Sequence, residues 1–435
     1  MCALSAALLT NPLYANAAAR LTDIVALAQA HDPQYAAARA SMDAGRERYV
    51  QGRAGLLPTL NAQGSVRAIR EANTSQRDWV NYKSGIASIT FTQPLLRKAN
   101  YETFRQGELQ AQLAELQFKL AEQDLLLRIS KGYFDVLQAQ DVLTSVRAQK
   151  DAFDRQLAQA NKSFTVGIVP ITDVNEAQTR FDLTLAQEIA AINDLEIKRR
   201  TIEKAVKTRL PELATLGEAA MINIIKDEQL IVVVERAPIE ALQVAIGLTT
   251  EQIAQRDVNK ESAGHWPTMD LVANKSENKH ASYSAIGPIT TRQTAVGLEV
   301  TLPLFQGGAV SSRAREAAAN LERTRDELEA ARRQATFEAS QAMLGVQSGL
   351  AMDRALKQAL RSNELQLRST RRGLEVGVRT LVDVLNAEQQ LYSTKKDLAS
   401  ARYQTIVSGL QLLAAAGLLT INDLREVDQL LMDNR

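Results

Sequence analysis

Few side chains in this sequence are equipped for bond-making chemistry. Its 435 residues include one cysteine, Cys2, and three histidines, His31, His265 and His280. A single cysteine can build neither an internal disulfide nor a cysteine metal cluster. The histidines are far apart and show no ligand spacing such as His-Glu-x-x-His. No glycine-rich phosphate loop and no Gly-x-Ser-x-Gly elbow occurs. Carboxylates alone can run acid–base chemistry, but no pair is marked out by its spacing. The chain reads as a non-enzyme with no metal and no cofactor.

Charge and hydropathy narrow the classes further. Lys and Arg number 51 against 50 Asp and Glu, a formal net charge of +1, which gives no global case for nucleic-acid binding. Mean hydropathy is −0.19. The longest apolar candidate, Gly409 to Leu419, falls short of the roughly 18 residues that a membrane-spanning helix needs. At the amino terminus, an apolar stretch from Ala3 to Leu9 precedes Ala15-Asn16-Ala17, a small-x-small cleavage pattern. Residues 1–19 therefore read as the remnant of a secretory signal whose basic start is missing. Cys2 precedes the apolar run, which argues against lipidation.

The whole chain is organised by an internal duplication. Val166, Gly167, Asp173, Val174 and Ala177 recur as Val376, Gly377, Asp383, Val384 and Ala387, offset by 210 residues. Gly55-Leu-Leu-Pro-Thr matches Gly264-His-Trp-Pro-Thr, and Thr92-Gln-Pro-Leu matches Thr301-Leu-Pro-Leu, both at an offset of 209. Each copy (20–210 and 238–419) carries a helical stretch, two extended segments, and a long helical hairpin over 97–210 or 309–419. Residues 211–237 link the copies and 420–435 form a tail. Leu113, Leu120, Leu127 and Phe134 repeat every seven residues, as do Leu360, Leu367 and Leu374, the pattern of coiled-coil-like packing. Some 65 residues of helix make a rod of about 100 Å. Gly167 and Gly377 are placed to end these helices, and Thr172 and Thr380 stand where the returning helices begin.

Between the helices the period drops to two. Leu60, Ala62, Gly64, Val66 and Ala68 alternate with polar residues, as do Val296, Leu298, Val300 and Leu302. Weaker alternation over Gly85–Phe91 and Met269–Ala273 completes four expected strands at about 57–69, 81–94, 266–275 and 293–304. The polar stretches Glu71 to Asn81 and Lys275 to Arg292 suit exposed loops. A strand of an outer-membrane barrel needs about 9–11 residues with one apolar and one polar face. Soluble hairpins covering a helix fit the same pattern. If the strands enter lipid, four cannot close a barrel and open edges are not tolerated there, so the chain must oligomerise. A dimer supplies 8 strands and a filled interior; a trimer supplies 12 and leaves a conduit.

Thr-Val-Gly-Ile-Val-Pro-Ile-Thr-Asp-Val (165–174), Val-Gly-Val-Arg-Thr-Leu-Val-Asp-Val-Leu (376–385) and Gly-Leu-Leu-Pro-Thr-Leu (55–60) resemble the TolC family of outer-membrane exit ducts of Gram-negative bacteria. The similarity runs from about Leu21 to Asp423 and lies nearest the branch serving type I toxin secretion. It implies a mainly α fold with a transmembrane β-barrel portion: a homotrimer with a 12-stranded barrel continued by a periplasmic α-helical tunnel. It implies a belt from 211–237 and the tail. It also implies a periplasmic adaptor protein, an inner-membrane ABC translocase, an exported protein as cargo, and contact with outer-membrane lipid.

The resemblance further assigns roles to residues. Val166, Gly167, Val376 and Gly377 become adaptor-contacting tips. Thr172, Asp173 and Arg379 become a latch that closes the resting tunnel, an arrangement suited to the forked guanidinium of Arg379. The family's tyrosine partner falls at Leu374, which has no hydroxyl, so the latch is expected to be simpler or weaker here. Asp383 matches one position of an aspartate ring at the constriction, and Asn386 occupies the second. One charged ring in place of two implies weaker cation selectivity. Against these roles stand plainer ones: Asp173 and Arg379 as helix-start caps or solvated charges, and Asp383 as a surface residue. A multidrug efflux duct is the competing function within the family. A coiled-coil scaffold competes from outside it, and has no need of the strand pairs or the signal.

Overall fold

A computed structural model describes residues 18–73, 78–217, 227–280 and 289–432. The signal remnant lies outside the described residues, apart from Ala18 and Ala19. The elements in chain order are α1 (Leu21–His31), α2 (Pro33–Ala54), β1 (Thr59–Asn73), β2 (Asp78–Leu96), α3 (Lys98–Thr165), α4 (Ile171–Val206) and β3 (Thr215–Leu216). They continue with α5 (Asp227–Glu240), α6 (Leu242–Ser262), β4 (Thr268–His280), β5 (Ile289–Thr301), α7 (Ala309–Glu375), α8 (Leu381–Ala415), α9 (Ile421–Asp428) and β6 (Leu431–Met432). The chain divides into two compact units.

The first unit comprises Met1–Ala38, Lys119–Leu242 and Arg332–Arg435. Its core gathers Leu125, Ile129, Tyr133, Phe134 and Leu137 from α3 with Ile202 and Val206 from α4 and Ile406 and Leu410 from α8. On α3 these positions recur at three- and four-residue steps, the single buried stripe of an amphipathic helix. Leu127, from the seven-residue repeat, is only half-buried, whereas Phe134 is fully enclosed. The expected linker and tail are more structured than their compositions suggested. Asp227–Glu240 is helical despite Pro238, and Thr215–Leu216 pairs antiparallel with Leu431–Met432.

Two buried polar groups fix this region. The hydroxyl of Tyr133 lies 3.0 Å from the Ala19 carbonyl and 2.8 Å from the Ala214 carbonyl, and its burial pushes the phenol pKa up. Asp428 accepts the backbone N–H groups of Leu21 (2.9 Å) and Thr22 (3.3 Å), and the Thr22 hydroxyl as well. A carboxylate there satisfies donors that the start of α1 would otherwise leave unpaired and meets the positive end of the helix dipole.

The second unit comprises Arg39–Phe118 and Gln243–Ala331 and holds a four-stranded antiparallel sheet in the order β1-β2-β4-β5. The register places Leu60 opposite Phe91, Phe91 opposite Ala273, and Ala273 opposite Val296. One face therefore carries Leu60, Val66, Ile89, Val296, Leu298 and Val300, all of them exposed. The other carries polar groups, among them Asn274, whose Nδ2 donates to Thr90 Oγ1 at 3.1 Å. Arg97, just past β2, forks onto Asp270 of β4, with Nε 2.8 Å from Oδ1. The strands run further toward their loops than alternation indicated, so much of 71–81 and 275–292 is ladder rather than loop. Backbone pairing asks nothing of side-chain hydropathy, and the polar residues sit in strand where the sheet leaves them exposed.

Among the described residues, no helix is both long and apolar enough to cross a membrane, and no cluster of three potential metal ligands occurs.

Candidate functional site

The helical turns are built twice from the same parts. Gly167 and Gly377 both have φ of +77°, a left-handed conformation that side chains with a Cβ resist. In the first turn, Gly167 N–H donates to the Phe164 carbonyl and Ile168 N–H to that of Ser163. In the second, Gly377 N–H donates to Leu374 and Val378 N–H to Gly373. This pairing of bonds is the Schellman motif, which closes the carbonyls left open at a helix end. Val166, Ile168, Val376 and Val378 project from the turns, each more than two-thirds exposed.

The two returning helices begin differently. Thr380 caps α8 in a reciprocal box: its backbone N–H and its hydroxyl each reach Asp383 Oδ2 at 3.0 Å, while Asp383 N–H donates to Thr380 Oγ1 at 3.2 Å. Those bonds from Thr380, aided by the nearby Arg379 charge, hold the Asp383 carboxyl below its ordinary pKa. The start of α4 has no such box. Pro170 occupies its N-cap position, which puts Thr172 inside the first turn rather than at the cap. Asp173 also lies in that turn, with its charge near the positive end of the helix, but no side-chain bond caps the Pro170 position.

Arg379, Asp383 and Asn386 line one shallow cleft on the α7–α8 hairpin, together with Gln366, Thr370 and Gln390. Thr172 and Asp173 lie on the other hairpin and do not enter it. Among the described residues, no hydrogen bond or ion pair joins Asp173 to Arg379 within one chain. The stem of Arg379 crosses Gly373 so closely that an added Cβ there would come 2.7 Å from Arg379 Cγ.

Near the turns, a residue that the sequence did not single out joins the two hairpins, as Gln138–Ser400 and Tyr403–Asp141 do further along. Arg180 of α4 donates from Nη1 to Gln389 Oε1 at 2.6 Å and from Nη2 to Asn386 Oδ1 at 3.2 Å, while its Nε holds Glu176 at 3.0 Å. Asn386 is therefore engaged by a cation of its own chain. A signal existed: Glu176 is the duplicate of Asn386 at the 210-residue offset, so a carboxylate in one copy faces an amide in the other. Beneath the bridge, Phe153, Ala160 and Ala177 pack with Leu381 and Leu385. Each hairpin also has an internal ionic brace. Glu188 binds Arg147 (3.0 Å) and Lys150 (2.6 Å), and those two cations lower its pKa. The buried Glu388 holds Arg371 at 2.5 Å.

Paired long helical hairpins, together with an open sheet that has one apolar and one polar face, define a barrel-and-tunnel channel. The comparisons with known proteins agree. The model of the outer membrane efflux protein family matches residues 24–206 and 242–418. The outer membrane protein TolC of Vibrio cholerae is 31% identical over 415 residues, covering 94% of this chain and 93% of that protein. The proteases secretion protein PrtF of Dickeya chrysanthemi is 30% identical over 419 residues, covering 94% and 90%. Among solved structures, the Campylobacter jejuni CmeC outer membrane channel superposes with a TM-score of 0.80 at 14% identity, covering 95% of this chain and 90% of that one. The chain belongs to the outer membrane efflux protein family, the TolC-type ducts. It is an outer-membrane channel of the efflux and secretion class, resident in the Gram-negative outer membrane with a helical periplasmic portion.

Proposed function

We propose that the protein is the passive, homotrimeric exit duct of a type I secretion system, carrying a protein cargo and catalysing no reaction. The open sheet carries this reading. Among the described residues, its edge strands β1 and β5 have no partner on their outer sides, and unpaired strand edges do not persist in lipid. Three copies close a barrel of 12 strands, wide enough to leave a conduit. Type I secretion is favoured over drug efflux because relatives named for protease secretion, from Dickeya chrysanthemi and Pseudomonas aeruginosa, align over 94% of the chain.

In this reading the exposed apolar turns at Val166, Gly167, Val376 and Gly377 receive the periplasmic adaptor, which recruits an inner-membrane ABC translocase. Thr172, Asp173 and Arg379 latch the resting tunnel between neighbouring subunits, a role compatible with their lack of a shared bond inside one chain. Three copies of Asp383 form the charged ring, with Asn386 as an uncharged second position. The native mass of the detergent-extracted protein tests the stoichiometry, and a dimer would refute it. Planar-bilayer recording tests the latch. Arg379→Ser combined with Asp173→Ala raises single-channel conductance, and unchanged conductance refutes the assignment. Complementation of a duct-less strain separates the cargoes: protein secretion is restored, and restored drug resistance without secretion would favour efflux.

A further inference from the structure

The apolar face of the sheet ends in a basic rim. Along β1 this face reads Leu60, Ala62, Gly64, Val66, Ala68 and then Arg70. On β2 it passes from Phe91 and Ile89 through Ala87 and Gly85 to Lys83. On β4 it passes from Met269, Leu271 and Ala273 to Lys275, Glu277 and Lys279, and on β5 from Val300, Leu298 and Val296 to Thr294 and Arg292. Every strand thus turns basic on one face and at one end. That end is joined by the strand-to-strand connections at 74–77 and 281–288, opposite the ends that lead into α2, α3, α6 and α7. With those helices periplasmic, the basic end faces the outer leaflet.

Spacing sets the depth. Arg70 lies ten residues beyond Leu60, Lys279 ten beyond Met269, and Arg292 ten from Leu302. At about 3.3 Å per residue and a tilt near 40°, ten residues rise about 25 Å, the height of the apolar band of an outer-membrane barrel. The chain's two tryptophans mark the same two levels. Trp79 lies beneath the Arg70 guanidinium at 4.9 Å, and Trp266, next to β4 at the helix-connected end, lies beneath Lys98 Nζ at 4.0 Å. Interfacial girdles place aromatic rings at these boundaries. Each protomer brings five basic side chains to this face, Arg70, Lys83, Lys275, Lys279 and Arg292, against the single carboxylate of Glu277. Glu277 holds Lys279 at 3.2 Å and Arg292 at 3.0 Å. Lys275, six residues beyond Met269, lies within the apolar band, and the other four cations against one carboxylate leave a cationic excess at headgroup depth.

We infer that this rim binds the phosphate groups of phosphorylated glycolipid in the outer leaflet, so that each trimer carries a collar of anionic glycolipid. The inference rests on the membrane-spanning, oligomeric reading of the sheet. Lipid phosphate is the occupant that fits, because the cations adjoin an apolar surface that acyl chains must cover.

The test extracts the full-length protein from outer membranes in mild detergent and counts bound glycolipid phosphate per protomer by native mass spectrometry. The combined variant Arg70→Gln, Lys83→Gln, Lys279→Gln and Arg292→Gln, with Glu277→Gln to avoid a stranded carboxylate, should retain at least roughly tenfold less. Arg67→Gln, on the opposite face of β1, should retain the wild-type amount. A second arm needs no mutation. Wild-type protein in phosphatidylethanolamine vesicles should withstand heat better when they contain bisphosphorylated lipid A than when they contain its dephosphorylated form. Inorganic phosphate should neither reproduce nor reverse that gain. Equal retention by the combined variant, or equal heat resistance in both vesicles, overturns the proposal while leaving the duct intact. Failure of the wild-type chain to enter membranes as an oligomer would overturn the duct reading along with it.

Discussion

Arg180 offers the sharpest test of how the two hairpins are held. Arg180→Ala removes a cation that reaches Gln389 at 2.6 Å and Asn386 at 3.2 Å across the α4–α8 contact. A hydrogen bond from a charged donor contributes about 1.5–3 kcal/mol when well enclosed. The Arg180 side chain is 26% exposed and one of its bonds is long, so the pair together is better placed at about 1–1.5 kcal/mol. The i,i+4 contact with Glu176 lies within one helix and contributes about 0.3–0.5 kcal/mol to α4 alone. If separation of the hairpins opens the tunnel, loss of 1–1.5 kcal/mol multiplies the open-to-closed ratio roughly five- to thirteenfold for each protomer that must open. Single-channel recording reads that ratio directly. Arg180→Lys cannot fork onto both amides and should recover about half of the effect in free energy. A double-mutant cycle with Gln389→Ala isolates the bridge: after Arg180→Ala, the second change should add almost nothing. Strict additivity, or an unchanged ratio in a trimer of normal stability, refutes the bridge.

Other expectations follow from the turns and the cap. Gly377→Ala forces a Cβ into the left-handed region and should cost about 1–2 kcal/mol, seen as faster hydrogen exchange around residues 373–380. Gly377→Asn should cost less, because asparagine tolerates that conformation, and equal losses would argue against a backbone cause. The Asp383 carboxyl is held below its ordinary pKa in the folded protein, so the box it forms stabilises α8 fully above the unfolded aspartate value near 3.9. That contribution disappears as pH falls through the lowered folded value. Amide exchange in the first turn of α8 should accordingly stay slow at pH 4 and quicken below it; quickening already at pH 5 would contradict the assignment. Reversal potentials in a salt gradient report the proposed ring: Asp383→Ala should abolish most cation preference, and an unchanged potential would leave Asp383 as a helix cap alone.

What could be read from residues alone follows from which interactions are local. The turns at Gly167 and Gly377 were legible because a left-handed helix end demands glycine and the duplication printed the demand twice. The strands were legible where hydropathy alternated, as over Leu60–Ala68, but their outer halves were not, since ladder bonds do not depend on side chains. α4 starts at Ile171 in register with α8 at Leu381, but Pro170 stands where the other copy has Thr380, so Thr172 falls two residues past the cap and cannot repeat the Thr380 box. Arg180 escaped notice because its partners lie 206 and 209 residues away. The seam leucine Leu127 proved half-buried, because the most enclosed stripe of α3 is the one facing α4 and α8 of the same chain.

The carboxylate of Asp428 at the start of α1 has a consequence for biogenesis. Its bonds to Leu21 and Thr22 span more than 400 residues of sequence, so the first helix of the described chain waits for almost the last. Synthesis and export deliver the amino-terminal segment early, with the donors at the head of α1 still bare. They are satisfied only once α9 is in place, next to the pairing of β6 with β3. The Asp428 carboxylate thus acts as a closing stitch: a chain ended before α9 would leave the Leu21 and Thr22 donors without it.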